Sequence, residues 1–306
     1  MKKQILFLSI LFFALGMKAQ LPYERHWQSG VEKVRVISYN IFNGFDWGKD
    51  TERRQRMVEW VKEKDPEIMA LQELCGFNQQ KLETLAKEWG HPYAMIVKEG
   101  GYPVGVTSKK PITLKTKLLE NCGHGLLHVQ TYDIDVLVTH LNPANTIKRH
   151  DEAKNIVDYI EKNKLDNFLL MGDMNSHSPF DADYMERHAI DLINKYGGNS
   201  GTNLMDGDFD YTTISRFLSF PMIDICRKYV SPAKRGTFPT PILYYQSKQE
   251  EIRKRTAERL DYILASPSMA QLAVDAYIWN GGDTYFLSDH FPVGIDLCIE
   301  QKPVEQ

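Results

Sequence analysis

The sequence has no excess of positive charge and few cysteines, and both shortages exclude classes of protein. Its 306 residues hold 37 lysines and arginines against 40 aspartates and glutamates, a formal net charge of -3 at pH 7. Proteins that bind nucleic acid through a broad basic surface have the opposite balance. The cysteines Cys75, Cys122, Cys226 and Cys298 form no CxxC pair and no Cys/His cluster. A structural zinc site is therefore not indicated.

Long apolar runs are missing too, apart from one at the N-terminus. Lys2 and Lys3 precede a mostly apolar run from Ile5 to Leu15, which is shorter than the ~20 residues of a membrane span. The pattern predicts a cleaved signal peptide over residues 1–19 and an exported protein, either periplasmic or secreted. Loss of Lys2, Lys3 and Lys18 leaves 34 bases against 40 acids, a charge of about -6 on the mature chain.

Repeats, Pro-rich linkers and low-complexity blocks are absent between residues 31 and 300. This favours a single domain over residues 20–306. Export would permit disulfides, and four cysteines allow three full pairings. Free buried thiols remain open as well, because a chain of this length builds a core without covalent bridges.

Strand-like and helix-like segments alternate along the chain. Apolar and β-branched runs predict strands at Val34 to Tyr39, Glu67 to Leu71, Ile134 to Thr139, Phe168 to Met171, Leu260 to Ala265 and Phe291 to Cys298. Helical spacing predicts helices from about Thr51 to just before Pro66, at Leu82 to Trp89, at Ile156 to Ile160, and around Met185 to Leu192 with a stop at Gly197. Several strands are apolar on both faces, which indicates an α/β or α+β class with layered sheets.

Several predicted strands end in residues that can carry chemistry, and two C-terminal segments add more. The set comprises Asn40, Glu73, His140, Asn142, Asp173, Asn175, Asp261, Asp289 and His290. Ligands of open α/β sheets bind outside the carboxyl ends of strands, so we expect these side chains to share one pocket. Asp261 follows an apolar residue, and a buried lone carboxylate would need a partner.

The ordered motifs resemble the endonuclease/exonuclease/phosphatase superfamily, which includes secreted deoxyribonucleases, abasic-site endonucleases, neutral sphingomyelinases and inositol polyphosphate phosphatases. The motifs are Ser38-Tyr39-Asn40, Leu71-Gln72-Glu73, Gly105-Val106-Thr107-Ser108-Lys109, Thr139-His140-Leu141-Asn142, Gly172-Asp173-Met174-Asn175, Arg259-Leu260-Asp261-Tyr262 and Ser288-Asp289-His290. The resemblance spans about residues 31 to 300. It implies a four-layer sandwich of two packed mixed β-sheets flanked by α-helices, and metal-dependent phosphoester hydrolysis.

The resemblance also implies a metal site. Glu73 would be the principal ligand of Mg²⁺, with Mn²⁺ as an alternative ion. Asn40 would lie beside it, and Asp289 would be a further ligand. Such a site suits Mg²⁺, which takes oxygen ligands and few carboxylates.

The remaining residues receive catalytic roles by the same resemblance. Asp173 would orient or deprotonate the attacking water, and Asn175 would bond the phosphate or its transition-state oxyanion. His140 would bond a phosphate oxygen or assist the leaving group. Asp261 would fix the tautomer of His290, and the two would act as a pair.

The substrate stays open among a small molecule, a lipid head group and a nucleic acid. Abasic-site repair is disfavoured by the predicted export and by two residues, because abasic-site endonucleases usually have Tyr in place of His140 and Trp in place of Glu258. The acidic charge favours a small or medium phosphoester. A secreted endonuclease acting on DNA or RNA is the alternative. A non-catalytic binding protein of the same fold is disfavoured because no motif residue is missing. We expect a monomer with no obligate protein partner and no transmembrane segment, with specificity encoded between Asn199 and Thr256.

Overall fold

The computed structural model describes residues 31–196, 203–246 and 256–300. The predicted signal peptide, the helix stop at Gly197 and parts of the Asn199 to Thr256 segment lie outside these ranges. Within them, no helix combines the length and apolar character that a membrane span requires.

Two six-stranded mixed sheets form the centre of the molecule. The first sheet has the spatial order Ala273–Ile278, Val293–Glu300, Val31–Asn40, Ile68–Gln72, Gly105–Ser108 and Tyr93–Ile96. The second has the order Ile223–Asp224, Asp261–Ala265, Phe168–Asp173, Ile134–His140, Leu126–Thr131 and Thr113–Leu118. Each sheet contains one parallel pair at its middle, Val31–Asn40 with Ile68–Gln72 and Ile134–His140 with Phe168–Asp173. Leu204–Met205 and Asp208–Phe209 form a separate short hairpin.

Three apolar clusters hold four layers together. The central cluster lies between the sheets, where Val36 and Ala70 of the first sheet meet Val138 and Leu169 of the second. A second cluster fixes helices Thr51–Lys64 and Gln79–Glu88 on the outer face of the first sheet. A third fixes helices Thr146–Lys162 and Thr212–Ser219 on the outer face of the second sheet. The predicted four-layer sandwich is therefore confirmed.

Three of these helices begin at a side-chain cap that follows from the sequence. Asp50, Asn78 and Asn145 each accept a hydrogen bond from the backbone N–H three residues further on. Capping of this kind satisfies one of the amides that the first helical turn leaves without a partner. The shorter helices are Ala182–Arg187, Ala189–Tyr196, Ile225–Tyr229, Pro241–Gln246 and Pro267–Leu272.

Some expectations were wrong in detail. The predicted helix around Met185 to Leu192 is two helices, because His188 leaves helical dihedral angles at the C-cap of the first. The adjacent charged residues Glu258 and Arg259 are buried and ion-paired. Cys75, Cys122 and Cys226 are buried free thiols, so none of the three full pairings forms.

Candidate active site

Strand pairing brings the predicted residues to one end of both sheets. Asn40 lies opposite Gln72 in the parallel register, which places Glu73 beside it. In the second sheet His140 lies opposite Asp173. Asp261 begins an antiparallel strand and pairs with Asp173 from the other side. The two sheets thus present their chemically active ends to each other.

Unusual backbone conformations lie at this end. At Gly172, with φ +144, an added Cβ would lie 1.8 Å from the carbonyl oxygen of Thr139, so only glycine permits the close strand approach that positions Asp173. Glu73 and Asn175 have φ of 59 and 46, in the left-handed region. Such conformations cost roughly 1–3 kcal/mol each and are concentrated at functional sites.

Asp173 is the centre of the hydrogen-bond network. Its Oδ2 accepts from Nδ2 of Asn40 at 3.1 Å, and its Oδ1 accepts from the backbone N–H of Asn175 at 2.9 Å. Nε2 of His140 lies 3.4 Å and Nε2 of His290 lies 3.6 Å from the same Oδ2. The carboxylate of Asp173, at the end of the second sheet, therefore contacts both histidines and also Asn40 of the first sheet.

The expected pairing of Asp261 with His290 is present. Nδ1 of His290 lies 2.8 Å from Oδ2 of Asp261, and both side chains are buried. The ring of Phe238 packs against the imidazole at 4.8 Å between centroids. Since Nδ1 is engaged with Asp261, Nε2 points toward Asp173 and the pocket.

Glu73 and Asp289 form the other side of the pocket. Oε2 of Glu73 accepts from the backbone N–H of Asn43 at 2.7 Å, and Oε1 accepts from Asn40 at 3.3 Å. The hydroxyl of Ser288 donates to the carbonyl oxygen of Asn40 at 2.6 Å. This bond fixes the segment that carries Asp289 against the end of the first sheet.

Burial and neighbouring charges shift the pKa values of four groups in the site. Burial raises the pKa of Asp173 to about 7, although the charge of His290 opposes the shift. The pKa of Asp289 is likewise raised to about 7 by burial, with Glu73 and Asp173 adding to it. For His290, burial acts to lower the pKa, but Asp261 and Asp173 outweigh it and raise the pKa well above its usual value. Burial lowers the pKa of His140 to about 4.

Two predicted residues have side chains engaged away from the pocket centre. Nδ2 of Asn175 donates to the carbonyl oxygen of Leu141 at 3.0 Å. Oδ1 of Asn142 accepts from the backbone N–H groups of Ala144 and Asn145 and closes a turn. In this arrangement Asn142 stabilises a loop, while Nδ2 of Asn175 has a second N–H besides the one that it donates to Leu141.

Sequence reasoning missed three residues that support the site. The ring of His124 packs on His140 at 4.6 Å between centroids. Arg53 is buried and donates to the carbonyl oxygens of Ile41, Phe42 and Leu287. Glu152 accepts from the backbone N–H groups of Gly123 and Asn142 at 2.8 and 2.7 Å. No motif or periodicity marks these residues, since each acts on backbone or rings that are remote in sequence.

The donor set of the pocket suits a cation. Four carboxylates gather there, and among residues 31–196, 203–246 and 256–300 no lysine or arginine forms an ion pair with Glu73, Asp173, Asp261 or Asp289. Oδ1 of Asp261 is buried without a hydrogen-bond partner. One ligand atom each from Asp173, Asp261 and His290 lie within 4.8 Å of one another. This trio differs from the predicted ligands, and His290 lies between its two carboxylates, hydrogen-bonded to Asp261 at 2.8 Å and 3.6 Å from Asp173.

Comparisons with known proteins agree with this architecture. The model of the Endonuclease/Exonuclease/phosphatase family matches residues 37–290. A search of curated proteins returned no match.

Solved structures of similar fold have low sequence identity to this chain. An AP endonuclease from Archaeoglobus fulgidus superposes with a TM-score of 0.65 and 19% identity, covering 88% of this chain and 100% of that one. The 3' phosphatase NExo from Neisseria, bound to a product DNA hairpin, gives 0.63 and 16%, covering 86% and 99%. The 3'-5' exonuclease NExo from Neisseria meningitidis gives 0.61 and 15%, also covering 86% and 99%.

Proposed function

The chain belongs to the Endonuclease/Exonuclease/phosphatase family, and we propose that it is an exported, Mg²⁺-dependent phosphoesterase that cleaves a phosphodiester or phosphomonoester by in-line attack of an activated water. The observation that carries this proposal is the cluster in which His290 lies between Asp261, hydrogen-bonded at 2.8 Å, and Asp173, 3.6 Å away, beside Glu73 and Asp289. Hydrolysis of a phosphoester requires a base for water and donors for the phosphate oxygens, and the cluster offers both.

Glu73, Asn40 and Asp289 would hold the metal ion. Glu73 offers carboxylate oxygens, and Oδ1 of Asn40, which accepts from the backbone N–H of Phe42, has a second lone pair for the ion. Mg²⁺ prefers such oxygen ligands, and Mn²⁺ accepts the same set. When bound, the ion would supply Lewis-acid stabilisation of charge on the phosphate oxygens.

Asp173 would take the proton from the attacking water. A base works best when its pKa lies near the working pH, and burial raises the pKa of Asp173 to about 7. The hydrogen bond from Asn40 and the N–H of Asn175 orient its carboxylate.

His290 would donate from Nε2 to a phosphate oxygen. Its pKa is raised by Asp261 and Asp173, so the ring stays protonated and offers an N–H on the pocket side. Asp261 fixes the ring through Nδ1. His140, with its pKa lowered to about 4, would donate as a neutral imidazole to a phosphate oxygen or the leaving oxygen, and Asn175 would bond the developing oxyanion.

Cleavage of a nucleic acid is the second candidate. The solved relatives are named as an AP endonuclease, a 3' phosphatase bound to DNA and a 3'-5' exonuclease. Abasic-site repair in particular is disfavoured, because His140 and Glu258 stand where abasic-site endonucleases usually have Tyr and Trp. The carboxylate of Glu258 lies 2.8 Å from Nε2 of His177. The presence of the whole catalytic set argues against a non-catalytic binding protein.

A panel of substrates tests the proposal. Purified enzyme should hydrolyse bis(p-nitrophenyl) phosphate or p-nitrophenyl phosphate with added Mg²⁺ and lose that activity with EDTA. Plasmid DNA, sphingomyelin, sugar phosphates and inositol phosphates would then separate the branches. Glu73→Gln should abolish the Mg²⁺-dependent hydrolysis. Glu59→Gln, on the exposed face of helix Thr51–Lys64, should not. A wild type that hydrolyses none of the esters with Mg²⁺ or Mn²⁺ would refute the proposal.

Export is tested separately. Expression of the full chain in a Gram-negative host should yield a periplasmic or extracellular product whose N-terminus is Gln20. A cytoplasmic product that keeps Met1 would contradict the predicted signal peptide.

A further inference from the structure

A row of aromatic rings leads from the protein surface to the candidate active site. Trp47 contacts Tyr102 edge-on at 6.3 Å between centroids, and Tyr102 contacts His124 at 5.6 Å. His124 in turn packs on His140 at 4.6 Å. Three separate loops and one strand end contribute these rings, and the reaction proposed above uses only the last of them.

The loops that carry the row are held in place by close contacts. Trp47 lies in a left-handed turn over Phe42–Gly48. An added Cβ at Gly44 in that turn would lie 2.1 Å from the carbonyl oxygen of Cys75, so only glycine allows the turn to pack on the segment after Glu73.

The loop of His124 is fixed from two sides. Nζ of Lys98 donates to the carbonyl oxygen of Gly123 at 2.9 Å, and the N–H of Gly123 donates to the buried carboxylate of Glu152 at 2.8 Å. Burial, with a contribution from His140, lowers the pKa of His124 to about 3. The ring is therefore neutral at ordinary pH and suited to stacking.

The outer rings remain open to solvent. Trp47 is 48% exposed and Tyr102 is 37% exposed. Two adjacent large aromatic side chains left in water beside a catalytic pocket are typical of a binding site. The backbone N–H of Leu74, next to Glu73, donates to the carbonyl oxygen of Pro103, next to Tyr102, at 3.0 Å, so this open surface adjoins the predicted metal ligand.

We propose that Trp47, Tyr102 and His124 form a stacking subsite for a nucleobase joined through its sugar to the scissile phosphate. This inference rests on the proposed phosphoesterase function and names its substrate class, a nucleotide ester with an unpaired base. Stacking accepts every base because each has a π-face, and contact between uncharged rings does not itself depend on basic side chains, which suits an acidic chain. An acyl chain fits less well, because indole, phenol and imidazole edges interrupt the apolar surface with polar atoms.

Hydrolysis of matched single-stranded oligonucleotides tests the subsite. The probes are short oligothymidylates that either keep every base or carry tetrahydrofuran residues without bases at the cleaved position. Wild type should cleave the base-bearing probe with a kcat/KM about tenfold higher or more. Trp47→Ala and Tyr102→Ala should lose most of that ratio, chiefly through KM, and Tyr102→Phe should keep it because it keeps the ring.

Tyr93→Ala is the matched control, since Tyr93 is 40% exposed at the far end of its edge strand, and its ratio should equal that of wild type. Equal losses on both probes in the Trp47 and Tyr102 variants would overturn the subsite and leave only a structural role. An enzyme that hydrolyses lipid or sugar phosphoesters but neither oligonucleotide would also overturn it, while the proposed phosphoesterase function would stand. Failure on every ester would instead refute that function.

Discussion

Two clusters of buried charge lie close together in the chain and are built differently. The first, the proposed catalytic cluster, comprises Glu73, Asp173, Asp261, Asp289 and His290, and Oδ2 of Asp261 lies 2.8 Å from Nδ1 of His290. In the second, the ionic cluster of Asp181, Asp224, Arg235 and Arg259, Arg259 pairs with Asp181 and with Asp224, each at 2.7 Å. Arg235 lies 3.4 Å from Asp181.

The difference between the clusters lies in their charge balance. The ionic cluster sets two arginines against two aspartates, and Asp224 raises the pKa of Arg259 although burial opposes the shift. The catalytic cluster sets four carboxylates against one histidine of raised pKa, and burial raises two of those carboxyl pKa values to about 7. Buried charges are tolerated when paired, so the ionic cluster is balanced by its own residues, whereas the catalytic cluster has negative charge that a proton or a bound cation would offset.

The largest expected effect separates the clusters by activity. Asp173→Asn should reduce kcat by about 10³-fold, because it removes the base while retaining an oxygen for the N–H of Asn175. Its thermal midpoint should stay at or above that of wild type, since the change removes a buried charge. Asp181→Asn, the matched change in the ionic cluster, should leave kcat per folded molecule near wild type. Wild-type turnover in Asp173→Asn would contradict the catalytic assignment.

The second effect separates the clusters by stability. Arg259→Met leaves Asp181 and Asp224 short of a buried partner and should lower the free energy of unfolding by about 3–5 kcal/mol. Urea denaturation measures the change. Arg56→Met, which removes an exposed pair with Glu52, should change it by no more than about 0.5 kcal/mol. A loss below about 1 kcal/mol in Arg259→Met would show that the ionic cluster does not stabilise the fold.

The sequence predicted the central strands better than the edges. Phe168–Asp173 is buried throughout and Val31–Asn40 is buried from Val36 to Asn40, and the endings of both strands lie in the candidate site. The edge strand Thr113–Leu118 is largely exposed, so it has no apolar pattern to recognise. Tyr93–Ile96 and Gly105–Ser108 escaped prediction because each is only four residues long.

The pocket was predictable as a set of residues but not as a geometry. Motif order assigned Asp261 to His290, and the structure places Oδ2 of Asp261 2.8 Å from Nδ1 of His290. The position of His124 depends on a loop next to an edge strand and on the closure of two sheets, and a single histidine between glycines carries no periodic signal. The burial of Arg259 was not predicted either, because its partners Asp181 and Asp224 lie 78 and 35 residues away in sequence.

A third buried ionisable group, His91, differs from both clusters because its direct hydrogen-bond partners are neutral. His91 is fully buried, with Nε2 donating to the carbonyl oxygen of Pro66 and Nδ1 accepting from the hydroxyl of Thr107. Burial lowers its pKa to about 4, below the unfolded value of about 6.5. The unfolded state therefore takes up the proton first, and stability is complete above pH 6.5 and falls as the pH drops toward 4.

The difference between the folded and unfolded pKa of His91 predicts that the free energy of unfolding falls by roughly 3 kcal/mol across this pH range from His91 alone. Urea unfolding at about pH 7 and pH 4.5 should show a smaller loss in His91→Gln than in wild type, because Gln does not titrate. Other buried histidines contribute equally to both proteins and cancel in the difference. The same pH dependence in both proteins would contradict the neutral state of His91.

The smallest effect tests the charge imbalance itself. If the catalytic cluster lacks a counter-ion, Asp289→Asn should raise the stability of the metal-free protein, because Glu73 and Asp173 no longer repel a third carboxylate. Mg²⁺ should then stabilise wild type by about 2–3 kcal/mol at 100 times its dissociation constant and the variant by less. Asp181→Asn should respond to Mg²⁺ as wild type does, since the ionic cluster is neutral without it. Equal Mg²⁺ stabilisation of wild type and Asp289→Asn would mean that the ion binds elsewhere, and the contrast between the two clusters would then not be one of missing charge.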